Sequence, residues 1–208
     1  MKTHVLLVDV EGTVCPVEFV KKTLFPYARA RLAGWVAAHA GDPLLAEISS
    51  EASAAVRLLE RWSDEDRKVT ALKTIQGRLW REGYERGELI SPLYDDVAPA
   101  FEAWTARGAR IAIYSSGSVE AQRLLFAHSS AGDLTPKLCG YFDTTTGPKR
   151  EPQSYAAIAA SLGVEPGQVL FCSDTPEELE AARSAGVQTC LIERGVERSA
   201  LPLPDEHE

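Results

Sequence analysis

What this chain has little of already narrows its function. Cysteine is limited to Cys15, Cys139, Cys172 and Cys190, each in a different segment and none in a C-x-x-C pair. That spacing argues against a disulfide framework or a zinc site and for reduced thiols. Long apolar runs are missing as well. The run Val5–Val8 is far too short to span a membrane, and no signal-peptide cleavage pattern follows it. A cytoplasmic monomer with no membrane partner is expected. Basic residues are outnumbered, 22 Lys and Arg against 30 Asp and Glu, for a formal net charge of -8. An acidic surface repels a phosphate backbone, so nucleic acid is set aside as a partner. It would repel a phosphorylated metabolite too, unless cations gather at the site, which directs attention to a metal and a lysine. Internal repeats and low-complexity segments are also missing.

What is present suits a globular α/β protein. At 208 residues, with 45% hydrophobic and 25% charged residues, the chain can bury roughly 70% of its extended surface without staples. His4–Val10 is a short apolar run ending in an acid, the pattern of a strand buried on both faces. Further strands are predicted at Arg110–Ser115, Tyr141–Asp143, Val169–Ser173 and Thr189–Glu193. Helices are predicted at Val119–His128, Ser154–Leu162 and Pro176–Ala185, with Gly163 and Gly186 just past two of their ends. Alternating strand and helix implies a Rossmann-like, mainly parallel sheet. The stretch after the first strand breaks that alternation. Phe19–Ala40, Leu44–Trp62 and Asp66–Arg86 all carry helical periodicity. They suggest an inserted α-helical cap domain over 17–93, between core segments 1–16 and 94–208. Asp95–Arg107 leads back into the sheet, and the proline-containing, acidic tail Leu201–Glu208 reads as frayed.

Four short segments could carry chemistry, each at a predicted strand end. In Asp9-Val10-Glu11-Gly12-Thr13, two carboxylates stand where ligands bind in open α/β sheets, and Gly12 permits a tight turn. By itself D-x-E is equally an acidic turn. Tyr114-Ser115-Ser116-Gly117-Ser118 presents hydroxyls and N–H groups to an anion, although Ser116 or Ser118 as an ordinary helix cap explains it as well. Lys149, between a strand and a helix, offers a compact charge for a phosphate oxygen. Asp174 in Ser173-Asp174-Thr175-Pro176-Glu177-Glu178 offers a hard oxygen ligand suited to Mg2+, or else a helix cap followed by first-turn charges.

Taken together and in this order, acid–x–acid–Gly–Thr, hydroxyl, lysine and acid, the segments resemble the layout of haloacid-dehalogenase-like phosphatases. The resemblance goes further. DVEGTVCPVEFV (Asp9–Val20), DRKVTALKTIQGRLW (Asp66–Trp80), YSSGSVEAQRLLFAHSSAGDL (Tyr114–Leu134) and YFDTTTGPKREPQSY (Tyr141–Tyr155) are similar to the enolase-phosphatases of methionine salvage. The similarity runs from about Val5 to Val187, with Glu11 where most phosphatases of the superfamily have Asp.

That resemblance implies specific roles. Asp9 and Asp174 would bind Mg2+, with Glu11 joining through its backbone carbonyl. Asp9 would attack phosphorus, Glu11 would act as acid and base, and Ser115, Ser116 and Lys149 would hold the phosphate. The implied substrate is a small phosphorylated diketone, 2,3-diketo-5-methylthiopentyl-1-phosphate, enolised and then dephosphorylated to the acireductone 1,2-dihydroxy-3-keto-5-methylthiopentene. Departures from the family pattern are Pro148 before the lysine, Val14-Cys15 for a threonine-rich pair, and a C-terminus lacking the last strand-like stretch of longer members. Rival readings are a generic Mg2+-dependent phosphatase of small esters and an inactive metal-binding interaction module. A dehalogenase fits less well, since halide chemistry needs neither a Mg2+ site nor an acid at Glu11. On the Asp66–Arg86 helix, Lys73, Gln76 and Trp80 edge the apolar face of Val69, Leu72, Ile75 and Leu79. They either meet the substrate's non-phosphate end or simply pack.

Overall fold

The computed structural model describes residues 3–195 and 200–204. It divides into two compact units, 1–17 with 91–208, and 18–90. In the first unit, strands β1 (Val5–Val8), β2 (Arg110–Tyr114), β3 (Leu138–Phe142), β4 (Val169–Ser173) and β5 (Gln188–Leu191) form one parallel sheet in the order β3-β2-β1-β4-β5. Helices α6 (Val97–Ala106), α7 (Val119–Ala127), α8 (Pro152–Ser161) and α9 (Pro176–Ser184) belong with it. The chain builds outward from β1 to β3, then returns to the other side of β1. The direction of winding therefore reverses between β1 and β4, the point at which open α/β sheets bind ligands at their strand ends.

The central strands owe their burial to near-continuous apolar sequence. Each side chain of Val5–Val8 is fully buried, which contributes roughly 1.5–3 kcal/mol apiece. Val5, Leu7, Ala112, Tyr114 and Phe171 pack with Tyr155, Ile158, Leu179 and Ala182 of α8 and α9. Leu6, Val8, Ile111 and Ile113, buried too, face the other way by the two-residue period of a strand.

Several boundaries differ from the expected ones. β1 stops at Val8 rather than Val10. The Asp9 N–H still continues the ladder to Cys172 O at 3.0 Å, but the Val10 carbonyl then collects the N–H groups of Thr13, Val14 and Cys15 in a tight turn. β3 starts at Leu138 and ends at Phe142. Asp143 has left the strand because its carboxylate accepts from Val119 N on one side and from Thr145 N on the other. The tail expected to fray is anchored over its described part. Leu201 is buried, its N–H donates to Asp96 Oδ2 at 2.7 Å, and Trp104 Nε1 donates to Pro202 O at 2.7 Å. Residues 205–208 of that tail lie outside the described residues.

The unit 18–90 is helical, as its periodicity predicts, although with more breaks. The first long helix runs from α1 (Val17–Phe19) through a π-helical turn (Val20–Leu24) into α2 (Phe25–Ala38). Pro26 accounts for the π turn: it has no N–H to give the preceding turn, and its ring needs room there. The expected Leu44–Trp62 helix is two, α3 (Pro43–Ile48) and α4 (Ala52–Asp64), because Ser49 is extended. The next helix, α5 (Thr70–Glu85), starts four residues later than expected, after Asp66 takes a positive φ of 49°. Ala28, Leu32, Trp35, Leu59, Leu72, Ile75 and Leu79 form the core.

Trp80 is half-buried, and its Nε1 donates to Leu24 O at 2.8 Å at the end of the π turn. Its ring lies 6.0 Å from Phe25. The indole N–H is therefore engaged inside the helical unit, while Lys73 is exposed and Gln76 buried. Trp80→Phe keeps a ring beside Phe25 but leaves the Leu24 carbonyl without that donor. It should cost about 1 kcal/mol of stability, read as a lower urea midpoint at unchanged slope; an unchanged midpoint would show that the bond contributes nothing.

Candidate active site

The site is assembled at the C-terminal ends of four parallel strands. Asp9 follows β1 and is 3% exposed. Ser115 follows β2, Lys149 sits in the loop after β3, and Asp174 follows β4. Strand order places Asp9 between the other strand ends; Lys149 contacts Asp9 itself, Ser115 contacts Glu11, and Asp174 contacts the turn at Gly12 and Thr13.

Lys149 carries the central contact. Its Nζ lies 2.5 Å from Asp9 Oδ1 and 2.7 Å from Glu178 Oε2. Burial works against the ammonium charge, but Asp9 and Glu178 outweigh it and raise the Lys149 pKa above the usual lysine value. For Asp9, burial pushes the carboxyl up to about 7; Lys149 opposes this, while Glu178 and Glu11 add to it. Glu178 is a functional candidate that the sequence reading took only as a first-turn helix charge. It also accepts from Ser173 Oγ at 3.0 Å. The available signal was its place four residues after Asp174, one helical turn on.

The lysine is held by its loop. Three successive carbonyls there each accept a side-chain hydroxyl: Gly147 O from Tyr114 at 2.8 Å, Pro148 O from Ser154 at 2.7 Å, and Lys149 O from Tyr155 at 2.6 Å. Gly147 is required, since φ is +153° and a Cβ would stand 2.2 Å from Ser154 Oγ. Tyr114, Tyr155 and Phe171 pack their rings edge-on and tilted, with centroids 5.1–6.4 Å apart. Pro148, a departure from the family pattern, thus supplies a carbonyl to this set.

Glu11 points a carboxylate oxygen at Ser115, whose Oγ donates to Glu11 Oε2 at 3.0 Å. Ser115 Oγ in turn accepts from Gly117 N, and Ser115 N donates to Phe142 O at 3.1 Å. The buried Gln122 braces this loop from α7, with Nε2 donating to Gly117 O and Phe142 O at 2.8 Å each. Ser118, not Ser116, caps α7 by accepting from Ala121 N. Ser116 is exposed and stands apart from these bonds.

Asp174 does not cap α9; Thr175 occupies that position. The Asp174 N–H donates to Thr13 Oγ1 at 3.0 Å. Its carboxylate lies so close to Gly12 (φ +79°) that a Cβ there would be 2.1 Å from Oδ2. Only glycine fits, and the turn after Asp9 is thereby pressed against Asp174.

No cluster of three or more His, Cys, Asp or Glu side chains suited to a metal ion occurs among the described residues. The oxygen set nevertheless fits Mg2+, which takes few protein carboxylates and fills its shell with other oxygens. Burial is the main reason that Asp9 ionises reluctantly, and Glu178 and Glu11 add to it against the one lysine. A divalent cation would relieve that excess of negative charge.

Comparison with known proteins agrees with this layout. A model of the haloacid dehalogenase-like hydrolase family matches residues 3–186. A protein from Synechococcus elongatus named Enolase-phosphatase E1 is 53% identical, the match covering 89% of this chain and 87% of that one. One of the same name from Acidiphilium cryptum is 52% identical over 93% and 86% of the two chains. The crystal structure of the UTR4 protein of Saccharomyces cerevisiae superposes with a TM-score of 0.85 at 36% identity, covering 100% of this chain and 96% of that one. The chain belongs to the haloacid dehalogenase-like hydrolases and, within them, to the enolase-phosphatase family.

Two outcomes are expected. Tyr155→Phe removes the donor to the Lys149 carbonyl and should lower kcat/KM for phosphate release about fivefold, the worth of one hydrogen bond; wild-type efficiency would show that the other two hydroxyls suffice. The second concerns the metal. A carboxyl with a raised folded-state pKa stabilises below the ordinary carboxylate range and loses that contribution as pH rises toward about 7. Mg2+ should therefore raise Tm more at pH 8 than at pH 5.5, and equal gains would separate Asp9 from metal binding.

Proposed function

We propose that this chain catalyses the enolase-phosphatase reaction of methionine salvage. It would enolise 2,3-diketo-5-methylthiopentyl-1-phosphate and hydrolyse the phosphate to give 1,2-dihydroxy-3-keto-5-methylthiopentene. The observation that carries this reading is the separate holding of two nearby carboxylates. Asp9 is bound by Lys149, and Glu11, two residues on, is bound by Ser115. One can then act as nucleophile while the other handles protons.

In this reading Asp9 Oδ attacks phosphorus and forms an aspartyl-phosphate. Glu11 gives its proton to the departing enol oxygen, then takes one from the water that hydrolyses the intermediate. Lys149 holds the phosphate with Ser115 and Ser116, so that charge building on its oxygens meets a fixed ammonium and hydroxyls. Glu178 keeps Lys149 protonated and aimed. Mg2+, held by Asp9, Asp174 and the Glu11 backbone carbonyl, would supply positive charge for the phosphate and for a carbonyl oxygen of the diketone. The helical unit 18–90 is assigned the part of a cap domain.

The test follows ultraviolet absorbance of the enol together with free phosphate. The wild type should form the enol and release phosphate only with Mg2+ present. Asp9→Asn lacks the nucleophile and should release no phosphate, while slowly accumulating the phosphorylated enol. Phosphate release with no enol at any stage would replace this reading by a generic phosphatase, and substantial release by Asp9→Asn would remove Asp9 as nucleophile.

A further inference from the structure

Lys149 and Ser115 hold the ends of the two carboxylates, but neither fixes the turn that carries Glu11, Gly12 and Thr13. That turn is gripped from the C-terminal segment. Arg194, three residues past β5, donates from Nε to Thr13 O at 2.8 Å and from Nη2 to the same oxygen. Its Nη1 donates to Asp96 Oδ1 at 2.7 Å, and its guanidinium lies 4.2 Å from the centre of the Tyr94 ring. Asp96 spends its other oxygen on Leu201 N. Tyr94 ties back to the same turn, its N–H donating to Val14 O at 3.1 Å. The guanidinium is thus fixed by a carboxylate and a ring, with its side chain only 13% exposed.

Thr13 is fully buried, and every polar group it has is committed. Its N–H goes to Val10 O at the end of β1, its hydroxyl accepts from Asp174 N, and its carbonyl takes the guanidinium. It is the joint between the Asp9–Glu11 turn and Asp174. We infer that Arg194 is a positioning residue for this reaction: through the Thr13 carbonyl it sets the spacing between the Asp9–Glu11 turn and Asp174, and so the fit of the metal. The inference rests on the proposed phosphatase reading.

The physical reason is the glycine. Gly12 has the freedom to move this turn, and it lies in contact with the Asp174 carboxylate. Without an anchor behind Thr13, the turn can shift by a few tenths of an ångström, and the oxygens on its two sides no longer match one ion. A rigid, planar fork placing two charged donors on one buried carbonyl resists that shift in a way a lysine cannot. Groups that orient metal ligands from behind typically alter metal affinity or activity about 10–100-fold when removed.

A purely structural role for Arg194, as a staple for the C-terminal segment, predicts something else. Trp104 supplies the discriminating control, because its Nε1 ties the same segment at Pro202 O without touching Thr13. The experiment measures Mg2+ binding by calorimetry, kcat at saturating Mg2+, and Tm, for wild type, Arg194→Ala, Arg194→Lys and Trp104→Phe. Arg194→Ala should weaken Mg2+ binding about tenfold or more and lower kcat. Arg194→Lys should recover part of both. Trp104→Phe should lower Tm and leave Mg2+ affinity at the wild-type value. If Arg194→Ala lowers Tm alone, or if Trp104→Phe weakens Mg2+ binding equally, Arg194 is a staple and the inference is overturned. Should Arg194→Ala not fold, Arg194→Lys decides: wild-type Mg2+ affinity in that variant overturns the inference. Failure of the underlying reading shows separately, as a wild type that binds Mg2+ but releases no phosphate.

Discussion

The ion pair between Lys149 and the buried Asp9 is the constraint on which the rest of the site depends. A carboxylate sealed at the end of β1 is costly to ionise, and two more acids nearby make it costlier. A protonated carboxyl is a poor nucleophile and a poor cation ligand. The protein meets this with one ammonium placed between Asp9 and Glu178, in a pocket where its own charge is kept by both. A buried pair of this kind adds little net stability, because desolvation offsets the attraction. Its use is to keep a charged group where chemistry needs one.

That placement explains features that otherwise look unrelated. The ammonium must keep hydrogen-bonding distance to two carboxylates at once, 2.5 Å to Asp9 and 2.7 Å to Glu178, so its loop cannot drift. Tyr114, Ser154 and Tyr155 each take one carbonyl of the loop, and Gly147 lets the backbone come close enough for them to reach. Two of those hydroxyl groups are on α8, the helix that also fills the apolar face against Val5 and Leu7. The same helix therefore serves the core and the site, and its packing fixes both. The opposing loop after β2 is secured in a similar way, by Gln122 from α7.

Much of this was legible in the sequence, for physical reasons. The central strands are buried on both faces, so their apolar runs stand out. The acids that end them are conspicuous because nothing in a strand core calls for a charge. Asp9, Glu11 and Asp174 could be picked out for that reason, Lys149 only by its place in the order of the four segments, and the helical stretch between the first two strands by its periodicity. Less legible were β3, an edge strand that is half-buried and interrupted by an irregular register near Ile111, and the break at Ser49, which no glycine or proline marks. The supporting residues were hidden for a different reason. Tyr155 and Ser154 look like ordinary helix residues, Arg194 and Asp96 like surface charges, and Glu178 like a first-turn acid. What each does depends on which distant carbonyl or cation it meets, and local pattern holds no record of that.

The anchoring of the tail follows the same logic. A segment rich in proline and acid reads as solvated when judged alone. In the fold, Leu201 enters the core and its N–H finds Asp96, which is already orienting Arg194 against Thr13. Proline helps here, because a chain with few backbone donors has less to satisfy when it lies against another surface, and the Pro202 carbonyl has Trp104 as its partner. Thr13 then links that segment to both sides of the acidic cluster: its carbonyl faces Arg194 while its hydroxyl faces Asp174. Under the proposed reading, a cation taken up among these acids would depend most on the spacing of their oxygens, which repel one another. Backbone anchors such as Thr13 oppose that separation directly, whereas partners at the tips of the side chains act only after the loops are in place.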